Sequence, residues 1–78
     1  MPTAFVFMST VPALMPEVLE EIRAVDGVED AEMLYGVFDI VVKVKTETLD
    51  ELKHVITYKI RAIANVLTTN TQLVVRQK

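Results

Sequence analysis

An α+β sandwich, one four-stranded antiparallel sheet with two helices on one face, is predicted by three features of this 78-residue chain. Its hydrophobic periodicity runs strand, helix, strand, strand, helix, strand, the order of a split βαβ arrangement of the ferredoxin-like type. Its two most apolar stretches, Ala4–Met8 and Phe38–Val44, fall on the first and third strands, which that topology places at the centre of the sheet. Its only two glycines, Gly27 and Gly36, stand where a helix has to stop and a hairpin has to turn. At this length residues 1–78 form a single domain, which buries only about 60 to 65% of the surface its unfolded chain exposes.

The elements follow in order. Ala4 to Met8 is apolar throughout and ends at Ser9-Thr10, as a strand covered on both faces does. Val11 to Met15 connects it to a helix over Pro16–Val25, because proline suits the first helical turn and disfavours helix in the residue before it. Val18, Ile22 and Val25 share the apolar face of this helix, with Leu19 at its flank, while Glu17, Glu20 and Glu21 sit near the positive end of its dipole. Gly27 ends it in a left-handed conformation.

Val28 to Leu34 pairs with the third strand as a hairpin. A loop made of Tyr35-Gly36 would set Glu32 against Asp39, a like-charge pair that destabilises. A Gly36-Val37 loop instead sets Asp30 against Lys43 and gives Gly36 the first loop position of a type II′ turn, so this register is preferred. Phe38, Ile40, Val42 and Val44 then face the core, and Asp39, Val41, Lys43 and Lys45 face away.

Thr48 and Glu51 form a capping box that starts the second helix. Leu49, Leu52, Ile56, Ile60 and Ile63 make its core stripe, and Val55, Tyr58 and Ala62 a second one, more apolar than a solvated face requires. Asn65 ends it in the left-handed region, and Val66 to Gln77 forms a Thr-rich fourth strand whose apolar part is Leu73, Val74 and Val75.

Composition narrows the function. Eleven acidic and 8 basic residues, spread along the chain without a basic run, give a net charge of −3 and argue against nucleic acid as a direct partner. With 51% hydrophobic residues, no cysteine and little interior, the chain is expected to rely on subunit contacts. The open face of the sheet still carries Val41 and one set of Phe5/Phe7 or Val6/Met8, so dimerisation by sheet stacking is the simplest cover. The start of the chain lacks a basic leader, and its apolar run is too short to span a membrane; a soluble cytoplasmic protein is expected.

No cofactor or metal site is indicated. His54, the single histidine, projects from a polar helix face without a ligand partner at helical spacing and reads as a solvated side chain. Glu17, Glu20 and Glu21 read as a solvated face, and two glycines cannot supply a phosphate-binding loop or a dinucleotide fingerprint. Asp39 stands out, because aspartate packs poorly on a pleated surface. Two roles fit it. Its carboxylate bonds neighbouring backbone, with Gly36 shaping the turn and Tyr35 closing the strand end. Alternatively it holds an ammonium group while free amides of the turn hold a carboxylate, the two charged ends of an amino acid.

Gly27-Val28, the run Tyr35-Gly36-Val37-Phe38-Asp39-Ile40-Val41-Val42-Lys43-Val44 and Val66-Leu67-Thr68-Thr69-Asn70-Thr71 together resemble the effector-binding RAM module of the Lrp/AsnC family of regulators. The glycine-any-aromatic-aspartate core, Gly36 to Asp39, and the Thr-any-Thr pair Thr69 and Thr71 carry the likeness, which spans essentially the whole chain. Asn65 stands where the family usually has glycine. The resemblance implies sheet-to-sheet dimers that assemble into rings, with an amino-acid effector bound between dimers at Tyr35, Gly36, Asp39, Thr69 and Thr71. Family regulators place a DNA-binding domain before this module, so the chain resembles the stand-alone form. It would act on transcription through partners, full-length Lrp/AsnC regulators among them, and not as an enzyme. Two other classes compete: a small dimeric cofactor-free oxygenase, which needs a polar group between helices and sheet, and a purely structural oligomerisation unit.

Overall fold

The structure, a computed structural model, describes residues 1–75. Strands β1 (Thr3–Thr10), β2 (Val28–Met33), β3 (Ile40–Lys45) and β4 (Val66–Leu73) form one antiparallel sheet in the order β2-β3-β1-β4. Helix α1 (Met15–Arg23), entered through a 3-10 turn at Pro12–Leu14, follows β1, and α2 (Leu49–His54) follows β3. This is the ferredoxin-like fold, with the two most apolar strands at the centre.

One face of the central strands makes the core. Ala4, Val6 and Met8 of β1 and Ile40, Val42 and Val44 of β3 are fully buried against Val18, Leu19 and Ile22 of α1 and Leu52, Val55, Ile56 and Ile60 of the second helix. Each fully buried side chain of this size contributes roughly 1.5 to 3 kcal/mol, so this layer dominates the stability of so small a domain. The opposite face presents Phe5, Phe7 and Val41, all half-buried, because no element among the described residues covers it.

The caps form where the residue types require them. Gly27 is left-handed at φ +100°, and Asn65 at φ 73° adopts the conformation for which the sequence seldom offers a better residue than glycine. Thr48 Oγ1 accepts from the Glu51 amide at 3.2 Å, and the Glu51 carboxylate returns to the Thr48 hydroxyl at 3.3 Å.

Five expectations are corrected. The Asp30–Lys43 register holds, but the hairpin is not a two-residue type II′ turn. Ladder pairing stops at Met33 and Ile40, the Leu34 amide donates to the Asp39 carbonyl at 2.7 Å, and Tyr35 to Phe38 form a wider loop in which Gly36 has no positive φ. Phe38 leaves the core for the same reason: β3 begins only at Ile40, and the Phe38 ring packs on Phe7 of the open face at a centroid distance of 5.7 Å. The first helix ends at Arg23, leaving Val25 partly buried in the turn beyond it.

The second helix turns from α to π geometry at Val55–Ile60, the Arg61 amide donating to the Ile56 carbonyl. The wider turn brings Val55 into the core, although helical spacing had set it on a separate stripe, and Leu49 at the first turn is left 46% exposed. Finally, β4 ends at Leu73, with Leu73, Val74 and Val75 exposed, since neither helix reaches the far end of this edge strand. The remainder of the expected strand, beyond residue 75, lies outside the described residues.

Candidate functional site

The hairpin loop is tied to the end of β1 by Asp39. Its amide donates to the Met8 carbonyl at 2.9 Å, and its Oδ2 accepts from the Thr10 amide, also at 2.9 Å. The carboxylate is needed there because the β1–β4 ladder shifts register between Ser9 and Thr10, which takes the Thr10 amide out of regular pairing. The backbone-bonding role foreseen for Asp39 is therefore filled. One carboxylate oxygen satisfies Thr10, and the half-buried group keeps a second oxygen for another donor. The Thr10 hydroxyl beside it is buried without a hydrogen-bond partner.

The other four candidates lie around this point without closing a pocket. Tyr35 projects fully into solvent and Gly36 is exposed beside it. No atom lies within 4 Å of where a Gly36 side chain would begin. Thr69 pairs with Met8 across β1, which sets it near the Asp39 anchor but on the far side of that strand. Thr71 pairs with Val6, two residues farther along. Met8 and Val6 point into the core, so Thr69 and Thr71 share the helix-side face of the sheet.

Clefts open on the surface formed by the described residues. Thr69 lines one of about 400 Å³ with Arg61, Val66, Leu67 and Thr68. A larger cleft, about 490 Å³, lies at the other end of the sheet and mixes Lys45, His54 and Lys59 with Asp26, Glu47 and Glu51. It is wide open and balanced in charge, and none of the five candidate residues lines it. A third of about 310 Å³ sits between α1 and Met33 of β2. Among the described residues no group of three His, Asp or Glu side chains could hold a metal ion. No helix there is long and apolar enough to cross a membrane.

Thr10 and Arg61 were not foreseen. Thr10 becomes recognisable only through pairing: the β1–β3 register that sets Met8 against Ile40 carries Asp39 to the end of β1. Arg61 carries no site signal in the sequence, and only folding shows that it lines the same cleft as Thr69.

This topology, with an acidic anchor in the β2–β3 hairpin, defines a small α+β module of the ferredoxin-like class. Residues 3–78 match the family model of the Lrp/AsnC ligand binding domain, and the chain belongs to that family. It is similar to a hypothetical protein from Pyrococcus horikoshii, with 38% identity, a TM-score of 0.89, and coverage of 99% of this chain and 93% of that one. Similarity to AsnC from Escherichia coli is 26% identity with a TM-score of 0.88, over 97% of this chain and 52% of that one. A Neisseria meningitidis transcriptional regulator, solved as an L-Met complex, shares the fold at 14% identity and a TM-score of 0.83, over 97% of this chain and 51% of that one. No curated protein sequence matches significantly.

Proposed function

We propose that this chain is an amino-acid-sensing, oligomer-forming regulatory module. The observation that carries the reading is Asp39. It belongs to the glycine-any-aromatic-aspartate run of an Lrp/AsnC ligand-binding domain, and one of its oxygens is fixed by the Thr10 amide while the other remains available to an ammonium group. Fixing the carboxylate beforehand lowers the entropy cost of gripping a small ligand, and a charge-assisted hydrogen bond there contributes about 1.5 to 3 kcal/mol. The amides of the open loop from Tyr35 to Phe38 supply donors for the α-carboxylate, and Thr69 and Thr71 of a neighbouring chain complete the site. The Neisseria regulator's ligand belongs to the same chemical class.

Sheet-to-sheet dimers cover Phe5, Phe7 and Val41, and dimers join further to bring the loop of one to the threonines of the next. In this reading the module reaches transcription by entering mixed oligomers with longer family members in the cytoplasm. Buried polar residues among those described are Thr3, Thr10 and Thr46, so the space between helices and sheet holds no acid or base. Titration calorimetry against the twenty amino acids tests the reading: a subset should bind, and Asp39→Asn should weaken it.

A further inference from the structure

The cleft of about 400 Å³ beside β4 is lined by one charged residue, Arg61, which stands exposed where the second helix ends. No acid neighbours it in the elements that build the cleft. All 11 acidic residues lie between Glu17 and Glu51, so the helix beyond Glu51, β4 and the adjacent β1 contain none. The guanidinium has no ion-pair partner among the described residues, whereas that of Arg23 donates to the Ala31 carbonyl at 2.8 Å. A cation thus stands in a concave surface without an internal counter-charge.

The sheet edge adds donors of its own. β4 pairs on one side only, with β1, and successive residues of an antiparallel strand alternately turn their backbone groups toward the partner and away from it. The Val74 amide donates to the Thr3 carbonyl at 2.9 Å, so in the same register Gln72, Asn70 and Thr68 turn their amides toward β1. Thr69 and Thr71 turn theirs out of the edge, where no described strand meets them. Arg61, Thr68 and Thr69 therefore bring a guanidinium, two hydroxyls and an outward amide to one cleft, with Val66 and Leu67 as its aliphatic part. A donor-rich, cationic cleft of this kind matches a carboxylate carried on a short methylene stem.

We propose that this cleft takes the side-chain carboxylate of an acidic amino acid, so that Arg61 selects aspartate or glutamate as the effector. The inference rests on the proposed effector site, in which Thr69 takes part, and names the class of amino acid that site accepts. Asp39 answers the ammonium group and the loop amides answer the α-carboxylate, which are common to every amino acid. Discrimination must come from what meets the side chain. The planar fork of arginine binds a carboxylate through two parallel charged hydrogen bonds, whereas the amide isostere offers one acceptor oxygen, no charge and an NH₂ group facing other donors. Glutamine and asparagine fill the same space as the acids and lose that pairing.

Titration calorimetry of the full chain against the twenty amino acids tests it, with each acid compared to its own amide. Glutamate or aspartate should bind wild type at least about tenfold more tightly than glutamine or asparagine, respectively. In Arg61→Gln, checked for unchanged circular dichroism, that ratio should fall to about one. Lys53→Gln removes the same charge from an exposed position that lines none of the three clefts, and should leave the ratio as in wild type. An amide that binds as tightly as its acid, a ratio that survives in Arg61→Gln or falls equally in Lys53→Gln, or binding confined to other amino acids overturns the role of Arg61 and leaves amino-acid sensing standing. A wild type that binds none of the twenty overturns both.

Discussion

Asp39 has two tasks, and its variants separate them. Alanine removes the acceptor of the Thr10 amide as well as the charge, so a loss of binding by Asp39→Ala would mix folding with recognition. Asp39→Asn keeps an oxygen for Thr10 and removes only the negative charge. It should lower stability by less than about 1 kcal/mol, read from urea denaturation, while any ammonium-bearing ligand loses its counter-charge. Glu29 shows the opposite kind of acid, one whose partners are all within the fold. It is the extra residue where β2 shifts register against β3, and its carboxylate meets Lys43 Nζ at 3.1 Å and Lys45 Nζ at 3.8 Å. The hydrogen bond from Lys43, with the charges of Lys43 and Lys45, holds its pKa below the ordinary carboxylate value. A depressed folded-state pKa means that the stabilisation is present above the unfolded value and disappears as pH falls through the folded one. Glu29→Gln should therefore be least stable relative to wild type at neutral pH and should converge with it in acid. A difference that stayed constant across that range would assign Glu29 a packing role instead.

At the scale of elements, residue chemistry identified the strands, both helices, their caps and the hairpin register. Those features rest on local rules: alternation in Ile40, Val42 and Val44, the Thr48–Glu51 cap, and the charge pairing of Asp30 with Lys43. Two of the errors arose where packing departs from the expected period. Phe38 leaves its alternation because Phe7 offers a ring to pack on, and Val55 joins the core because the helix widens to π geometry. The two glycines make the distinction measurable. Gly27 has a positive φ, and a side chain there would begin 3.2 Å from Val55 Cγ2, so Gly27→Ala should cost about 1 to 3 kcal/mol. Gly36 has neither constraint, and Gly36→Ala should change stability by less than about 0.5 kcal/mol. Equal losses at the two positions, measured by denaturation, would show that the hairpin loop is shaped by Gly36 after all.

At the scale of the whole molecule, the site was only half legible. Asp39 could be singled out as an acid that a strand disfavours, whereas a single sequence does not show that Tyr35 falls on the exposed hairpin loop and Thr71 on the edge strand β4, two elements with β1 between them. In the proposed dimer, the half-buried Phe5, Phe7 and Val41 form the contact. Val41→Glu places a charge in the middle of that face and should convert dimers to folded monomers in sedimentation measurements; an unchanged mass would move the dimer contact elsewhere. The central claim is that Asp39 binds the ammonium group of an amino acid. Its most direct test is parallel titration calorimetry of wild type and Asp39→Asn with the tightest-binding member of the twenty-amino-acid panel, both proteins being equally folded. The account predicts affinity lower by about ten- to a hundredfold in the variant, the equivalent of one charged hydrogen bond. Equal affinity in the two proteins, or no binding by wild type to any of the twenty, would contradict it.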